Sequence, residues 1–340
     1  MGNLQYAPDD PRVSAMSRLI GKCTRAFDRF LFDACSPRSC SILRIQYGVL
    51  LLILVVIWML DANVWFTDAG ILTSQTAQSS VSHQYWSLLF WLPATPAVVY
   101  SCLSILLLQS VLLLCGCWSR FQIACIYLWL TSFMHRNPLI LDGEDTVFRL
   151  FAFFMIFMPL DYSWSLQRKL SGKEKPASPK PDAPPSAWAL RLVQFEITAI
   201  YLSTSWSKWQ GATWRDGTAL FYVSRMDDAF GRVWLPEFLF ETAWIVKACT
   251  WGALGIETLL PLLLWLPYTR RLAAVLGIAF HLMIEINMHL FLFEWIMMVG
   301  LMTFLKPGDF TKRKTTLATS PQPGSSTAGI SPPEAAHSSV

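Results

Sequence analysis

The chain has 340 residues, of which 54% are hydrophobic and 15% are charged. Soluble domains carry about 25% charged residues, so the composition excludes an ordinary soluble protein, and the long apolar runs between the few charges indicate a polytopic membrane protein. The net charge of +4 at pH 7 is small and gives no reason to expect a nucleic-acid partner.

The first 40 residues are predicted to form a cytoplasmic arm. They contain six Lys or Arg and no early apolar run with a small-residue cleavage site, so we expect no signal peptide. Arg18, Lys22, Arg25 and Arg29 recur at helical spacing among aliphatic and aromatic residues. This pattern predicts an interfacial helix over residues 17–32, in contact with membrane lipid.

Eight apolar segments follow the arm. They predict an all-α fold, a transmembrane helical bundle of about eight spans with both termini in the cytoplasm. The charges support this orientation, because eight spans place 18 basic residues inside and five outside. The segments lie at about 42–60, 97–117, 121–135, 146–160, 189–206, 244–266, 272–286 and 289–305.

Two polar stretches divide the chain. Residues 166–188 contain several prolines and alternating charges, which predicts a flexible cytoplasmic linker between the two halves of the bundle, 41–165 and 189–306. Residues 307–340 are rich in Ser, Thr, Pro and Gly, and they predict a disordered cytoplasmic tail.

Lys208 ends the fifth apolar segment and is the most informative polar residue. One interpretation is a snorkelling lysine in an aromatic belt at the membrane surface. The other is a general base, because burial beside Trp206, Trp209 and Trp214 would favour the neutral amine that can accept a proton. Both interpretations place the residue on the outer face.

The start of the fourth segment carries three further candidates on the same face. Asp145 and Arg149 are spaced i, i+4 with the acid first, which predicts either a structural ion pair or a pair that binds substrate. Glu144 points elsewhere on the helical wheel and is the candidate for a free carboxylate.

The seventh and eighth segments contain a third group of candidates. Residues 272–305 as one helix would be about 50 Å long, too long for one span, so a tight outer turn is expected between Glu285 and His289. Without that turn, His281, Glu285 and His289 would share one helical face and could ligate a metal. With it, His281 either bonds within the bundle or reaches a substrate. We expect no metal, and Asn287 is a candidate substrate contact.

Several sequence blocks occur in a specific order. They are Leu43–Gly48, Trp65–Leu72, Arg136–Ile140 followed by Asp142, Gly143 and Arg149, then Tyr201–Gly217, and finally Phe280 with His281. In this order they resemble the membrane domain shared by vitamin K-dependent γ-carboxylases and their bacterial relatives, the HTTM domain. The resemblance covers roughly residues 41–306.

The resemblance implies a reaction and a site. In that family, the lysine at the position of Lys208 deprotonates reduced vitamin K, and the hydroquinone anion reacts with O₂. An alkoxide intermediate then removes a proton from a substrate glutamate, CO₂ adds, and the quinone becomes an epoxide. His281 matches a further site position. The implied protein is a γ-glutamyl carboxylase-like or hydroquinone epoxidase-like lyase with a lipid hydroquinone as cofactor, spanning a bacterial cell membrane several times.

Two departures from the family pattern narrow this expectation. Glu144 stands, to within one residue, where the family has a functional histidine. Carboxylases proper also continue into a large luminal domain, whereas this sequence ends in a short tail. We therefore expect oxidation of a lipid hydroquinone rather than peptide carboxylation. The alternative, which a distant resemblance to DoxX-type four-helix proteins implies, is a non-catalytic membrane component that binds a lipid or a redox partner.

Overall fold

The computed structural model describes residues 11–33, 36–80, 85–172, 187–226, 230–231 and 236–306. Most of the predicted linker, from 173 to 186, and the predicted tail lie outside these residues. Within them the chain forms helices and no strand, which confirms the all-α class. The helices are α1 (Pro11–Phe32), α2 (Pro37–Leu60), α3 (Ala62–Phe66), α4 (Ser74–Ser80), α5 (Pro96–Cys115), α6 (Ser119–Arg136), α7 (Gly143–Met155), α8 (Leu166–Leu170), α9 (Trp188–Gln210), α10 (Ala212–Arg215), α11 (Ala219–Val223), α12 (Phe238–Glu241), α13 (Ala243–Leu263), α14 (Arg270–Asn287) and α15 (Phe293–Met302), with short 3-10 helices at Leu88–Trp91 and Pro138–Ile140.

Each of the eight predicted apolar segments lies largely in a helix of its own, although several boundaries differ. Helix α7 ends at Met155 rather than near 160, and Pro159, which has no N–H to continue a helix, follows four residues later. By length and hydropathy, the helical stretches Arg38–Leu60, Pro96–Cys115 and Ala243–Leu263 suit a membrane crossing. Helix α15 is apolar but has only 10 residues.

The last two predicted segments are separate helices, as expected. Helix α14 ends at Asn287 and α15 begins at Phe293. Helix α15 occupies the centre of the bundle, where it packs against α2, α7, α9 and α14. The helices approach closely at Gly300, since a Cβ there would lie 2.2 Å from Ile197 Cδ1. This central position accounts for a short helix that is buried over most of its length.

Two sequence blocks of the first half form one packed unit. Arg136 is fully buried, and its Nη2 lies 3.3 Å from Asp68 Oδ1 and donates to the Leu72 carbonyl at 3.0 Å. The side-chain amide of Asn137 donates to the Trp65 carbonyl at 2.8 Å. These contacts tie α3 and the loop after it to the C-terminal end of α6, so we interpret the two blocks as structural.

Candidate functional site

Lys208 lies near the C-terminal end of α9, on a face shared with Tyr201 and Ser205, because positions i, i+4 and i+7 of a helix point the same way. This face meets α13, and the Lys208 amine forms an ion pair with Glu257 of that helix. The Nζ also lies 4.7 Å from the ring centroid of Trp214. The carboxylate and the aromatic face both stabilise an ammonium. With 26% of its side chain exposed, Lys208 is a partly enclosed, paired cation and not a freely snorkelling one.

Glu257 is the acidic partner that the sequence analysis missed. Its side chain is 9% exposed, and Oε1 accepts a hydrogen bond from Lys208. Oε2 is buried and has no hydrogen-bond partner among the described residues. Buried polar atoms in folded proteins are nearly always hydrogen-bonded, so this oxygen marks a place where a ligand hydroxyl could donate. The signal in the sequence was the single acid of a largely apolar segment. An acidic residue inside a membrane segment indicates a functional site by default.

Hydroxyl groups fix α9 against α13 beside the ion pair. The Ser205 and Thr258 hydroxyls lie 2.7 Å apart, and the indole N–H of Trp209 donates to Thr258 Oγ1 at 3.1 Å. Trp206 is 70% exposed. The expectation that Trp206 helps to bury Lys208 is therefore wrong, because residues two apart on a helix do not face each other.

The segment after α9 folds back onto α13 and covers the ion pair from one side. The indole N–H of Trp251 donates to the Arg215 carbonyl at 3.2 Å, and this contact holds α10 in place. The turn after α10 needs a glycine, because Gly217 has φ +83° and a Cβ there would lie 2.9 Å from Lys247 Cγ. This backbone path brings the Trp214 ring over the amine.

His281 lies inside the bundle on α14 and is 3% exposed. Its Nδ1 is hydrogen-bonded to the carboxylate of Glu294 on α15, and its Nε2 to the hydroxyl of Tyr201 on α9. A carboxylate only accepts, so we assign the ring proton to Nδ1, and Nε2 then accepts from Tyr201. Both ring nitrogens are occupied, so His281 bonds within the bundle and does not reach outward. Glu294, an acid in the first turn of α15, was likewise not predicted from the sequence.

Tyr201 connects the two clusters. It lies two turns before Lys208 on the same face of α9, and its hydroxyl is close enough to Glu257 and Glu294 for electrostatic interaction with both. The structure therefore brings Lys208 and His281, two of the predicted catalytic residues, to one side of α9. No hydrogen bond or ion pair joins the two directly within the described residues.

His281, Glu285 and His289 do not share the helical face that the predicted metal site would need. His281 and Glu285 lie on α14, but this helix ends at Asn287, and His289 follows in non-helical backbone. In the described part of the chain, no group of three or more His, Cys, Asp and Glu side chains could hold a metal ion. The expectation that the protein needs no metal stays a prediction.

Glu144, the third predicted catalytic residue, is buried at the start of α7 and is 6% exposed. Its carboxyl group accepts hydrogen bonds from the backbone N–H groups of Leu292 and Phe293, at the start of α15. Burial, followed by the nearby charges of Asp145 and Asp142, raises the pKa of Glu144 to about 8. It is therefore an anchor for α15 rather than a free carboxylate, and it touches the helix that carries the partner of His281.

Asp145 and Arg149 do not form the expected ion pair. Asp145 Oδ2 accepts from the Asp142 backbone N–H at 2.9 Å, as part of a capping box that begins α7. Burial raises the pKa of Asp145 to about 6. Arg149 Nη1 lies 3.2 Å from His135 Nε2 on α6, and His135 Nδ1 lies 2.7 Å from the Trp86 carbonyl. We interpret these contacts as structural. His135 is buried, and it was not among the candidates predicted from the sequence.

Asn287, the remaining candidate substrate contact, ends α14. Its side-chain amide donates to the Met283 carbonyl at 2.6 Å, and its own backbone carbonyl accepts from Gly231 at 3.0 Å. Asn287 Oδ1 is buried without a hydrogen-bond partner in the described ranges. Among the described residues, no hydrogen bond or ion pair joins Asn287 to Lys208.

Comparison with known proteins gives one match. The family model described as "HTTM domain" matches residues 32–308. This range includes every helix from α2 to α15 and every candidate site residue. No curated protein and no solved structure matches the chain.

Proposed function

The chain belongs to the HTTM domain family and is a membrane protein related to the vitamin K-dependent carboxylases, and on this premise we propose that it oxidises a lipid hydroquinone. The proposed topology has eight spans in a bacterial cell membrane, with both termini in the cytoplasm and the Lys208 end of α9 on the outer side. The substrate, such as reduced vitamin K or a menaquinone, enters from the lipid.

The proposal rests on one observation at the pair of Glu257 and Lys208. Glu257 Oε2 is buried without a hydrogen-bond partner among the described residues, while Oε1 holds Lys208. A hydroquinone hydroxyl can donate to this oxygen. The ammonium then lies next to the phenolate oxygen that forms when the proton leaves, and such a fixed charge stabilises the anion.

Lys208 and Glu257 together act as one proton acceptor. In the resting pair, Lys208 carries the proton and Glu257 is ionised, so the pair is neutral. The hydroquinone gives one proton to the pair, which becomes positively charged, and a hydroquinone anion remains. Lys208 is thus the base of the site only together with Glu257, since an ammonium alone cannot accept a proton.

The oxidation step uses O₂, as the family resemblance implies. One oxygen atom enters the quinone epoxide, and the other leaves as water with the two hydrogens of the hydroquinone. Carboxylation with CO₂ is not part of the proposal, because Glu144 stands where the family has a functional histidine and holds α15 instead. We assign His281 and Glu144 to positioning, since both act on the helices behind the pair.

The proposal is tested with purified protein and reduced menaquinone or vitamin K, incubated in air and without O₂. Mass analysis of the extracted quinones should show an epoxide that forms only in air, and the Lys208→Ala variant should not form it. Lys169→Ala is the matched control, because this exposed lysine of α8 has no contact with the pair or with the segment that covers it among the described residues. Absence of epoxide with every quinone would contradict the proposal.

One observation favours a second, non-catalytic candidate. The Lys208 amine contacts a carboxylate and an aromatic face, and both contacts suit a permanent ammonium. A component that binds a lipid or a redox partner, in the manner of DoxX-type proteins, needs no proton acceptor. Quinone binding that depends on Lys208 without any quinone-dependent product would support this candidate.

A further inference from the structure

A cavity of about 260 Å³ lies between the start of α2 and the end of α15. Gln194 of α9 donates to the carbonyl of Thr303, which lines the cavity, at 2.7 Å. Lys208 follows Gln194 by 14 residues, about 21 Å along a helix. The cavity therefore belongs to the other end of the bundle and is separate from the proposed hydroquinone site.

The cavity wall has an apolar part and a cationic part. Ile42, Leu43 and Val299 are among its apolar residues, whereas Arg38 and Lys306 supply its charges. Both charged residues are exposed. An occupant that suits this wall is an anion with an apolar portion.

Helix α1 adds positive charge at the same end of the bundle. Its C-terminal end is attached to the start of α9, because the Ala187 backbone N–H donates to the Asp33 carbonyl at 3.0 Å and Arg191 Nε donates to the Phe30 carbonyl at 3.3 Å. The α1 side chains that the structure describes are mostly exposed, including the basic residues Arg18, Lys22, Arg25 and Arg29. A basic helix beside a basic cavity favours an anionic lipid surface at this end.

We propose that this cavity binds the headgroup of an anionic phospholipid. The phosphodiester contacts Arg38 and Lys306 at the mouth, and the first part of an acyl chain lies along Ile42 and Leu43. Basic pockets between membrane helices bind lipid headgroups of this kind. The two cations supply the preference for negative charge, and the apolar wall supplies the preference for a lipid over a free anion.

The test measures binding of a short-chain phosphatidylglycerol to the full-length protein in a neutral detergent, by thermal shift. The melting temperature should rise with phosphatidylglycerol but not with phosphatidylcholine of the same chain length. Arg38→Gln with Lys306→Gln should weaken the apparent affinity for phosphatidylglycerol by more than about tenfold, because each basic residue contributes about fivefold.

The control variant is Lys169→Gln with Arg271→Gln. It removes the same charge from two exposed residues at this end of the bundle that do not line the cavity, so affinity should stay within about twofold. An equal shift with phosphatidylcholine, an equal shift with inorganic phosphate alone, or unchanged affinity in the Arg38/Lys306 variant would each overturn the proposal. The phosphate result would identify a site for free anions.

Discussion

Helix α9 carries two buried polar clusters two turns apart, and they differ in how completely their hydrogen bonds are satisfied. In the cluster of Tyr201, His281 and Glu294, both ring nitrogens are hydrogen-bonded and the histidine is almost fully enclosed. In the pair of Lys208 and Glu257, one carboxylate oxygen has no partner among the described residues and the amine is partly exposed.

Under the proposed function, the first cluster has a structural role and the second a chemical one. A closed network in a membrane bundle joins helices, and here it joins α9, α14 and α15 through three side chains. An open pair retains capacity to bind a further group. Substitutions in the closed cluster should therefore reduce stability, whereas those in the open pair should reduce turnover.

The largest expected effect is a loss of turnover in the Lys208→Ala variant. Loss of a positioned acid–base group costs about 10²- to 10⁴-fold, so epoxide formation should fall by at least about 10²-fold. The melting temperature should fall by less than in His281→Ala, because the amine is partly exposed, although the substitution leaves Glu257 without its partner. Initial rates from quinone mass analysis check this, with Lys169→Ala as the control variant. Turnover within a few fold of wild type would remove Lys208 from the reaction.

The second largest expected effect is a loss of stability in the His281→Ala variant. The substitution leaves the Glu294 carboxylate buried without its partner, and breaking a buried charged network costs about 3–5 kcal/mol. Tyr201→Phe removes only one hydrogen bond and should cost about 1 kcal/mol. Thermal unfolding in detergent measures both. If His281→Ala abolished turnover while its melting temperature stayed at the wild-type value, the division between the two clusters would be wrong.

A smaller effect is expected from Gly217→Ala, which tests the cover over the open pair. A residue with a side chain at φ +83°, with its Cβ 2.9 Å from Lys247 Cγ, should cost about 1–3 kcal/mol. Trp214, whose ring covers the Lys208 amine, lies on α10 just before this turn. We therefore expect Gly217→Ala to raise the KM for hydroquinone as well as to lower the melting temperature. Gly252→Ala on α13, where a Cβ meets no atom within 4 Å, is the control. Identical behaviour of the two variants would show that the turn does not position Trp214.

The last expected effect is a pH dependence, which concerns how Glu144 anchors α15. Burial raises the pKa of Glu144 from 4.5 to about 8, so the folded protein favours the neutral carboxyl group. Stability from this group is complete below pH 4.5 and is lost as the pH rises to about 8. Asp145 changes in the same direction, but only to about 6. Melting temperatures should therefore fall between pH 6 and 8 in wild type and stay flatter in Glu144→Gln. Parallel curves would refute this assignment.

The helices were predictable from the sequence because apolar runs and charge alternation depend on local composition. The break between α14 and α15 followed from length alone, since one helix over these residues would exceed the membrane thickness. The boundary of α7 was harder to predict, because the apolar residues after Met155 continue in turns.

The site was predictable only in part, because its partners lie far apart in the sequence. Lys208 was recognisable from its position at the end of an apolar segment, but Glu257 lies 49 residues away on another helix. Arg149 faces His135 rather than Asp145, since Asp145 caps its own helix. The spacing of residues along one helix cannot predict such partners, because they depend on how neighbouring helices pack.

The most direct measurement of the central claim is the rate of epoxide formation by Glu257→Gln. The amide keeps the size of the side chain and an oxygen that accepts from Lys208, but it cannot take a proton from the hydroquinone. We predict a rate at least about 10²-fold below wild type, with quinone binding retained. A wild-type rate in Glu257→Gln would contradict the claim that Lys208 and Glu257 together accept the proton.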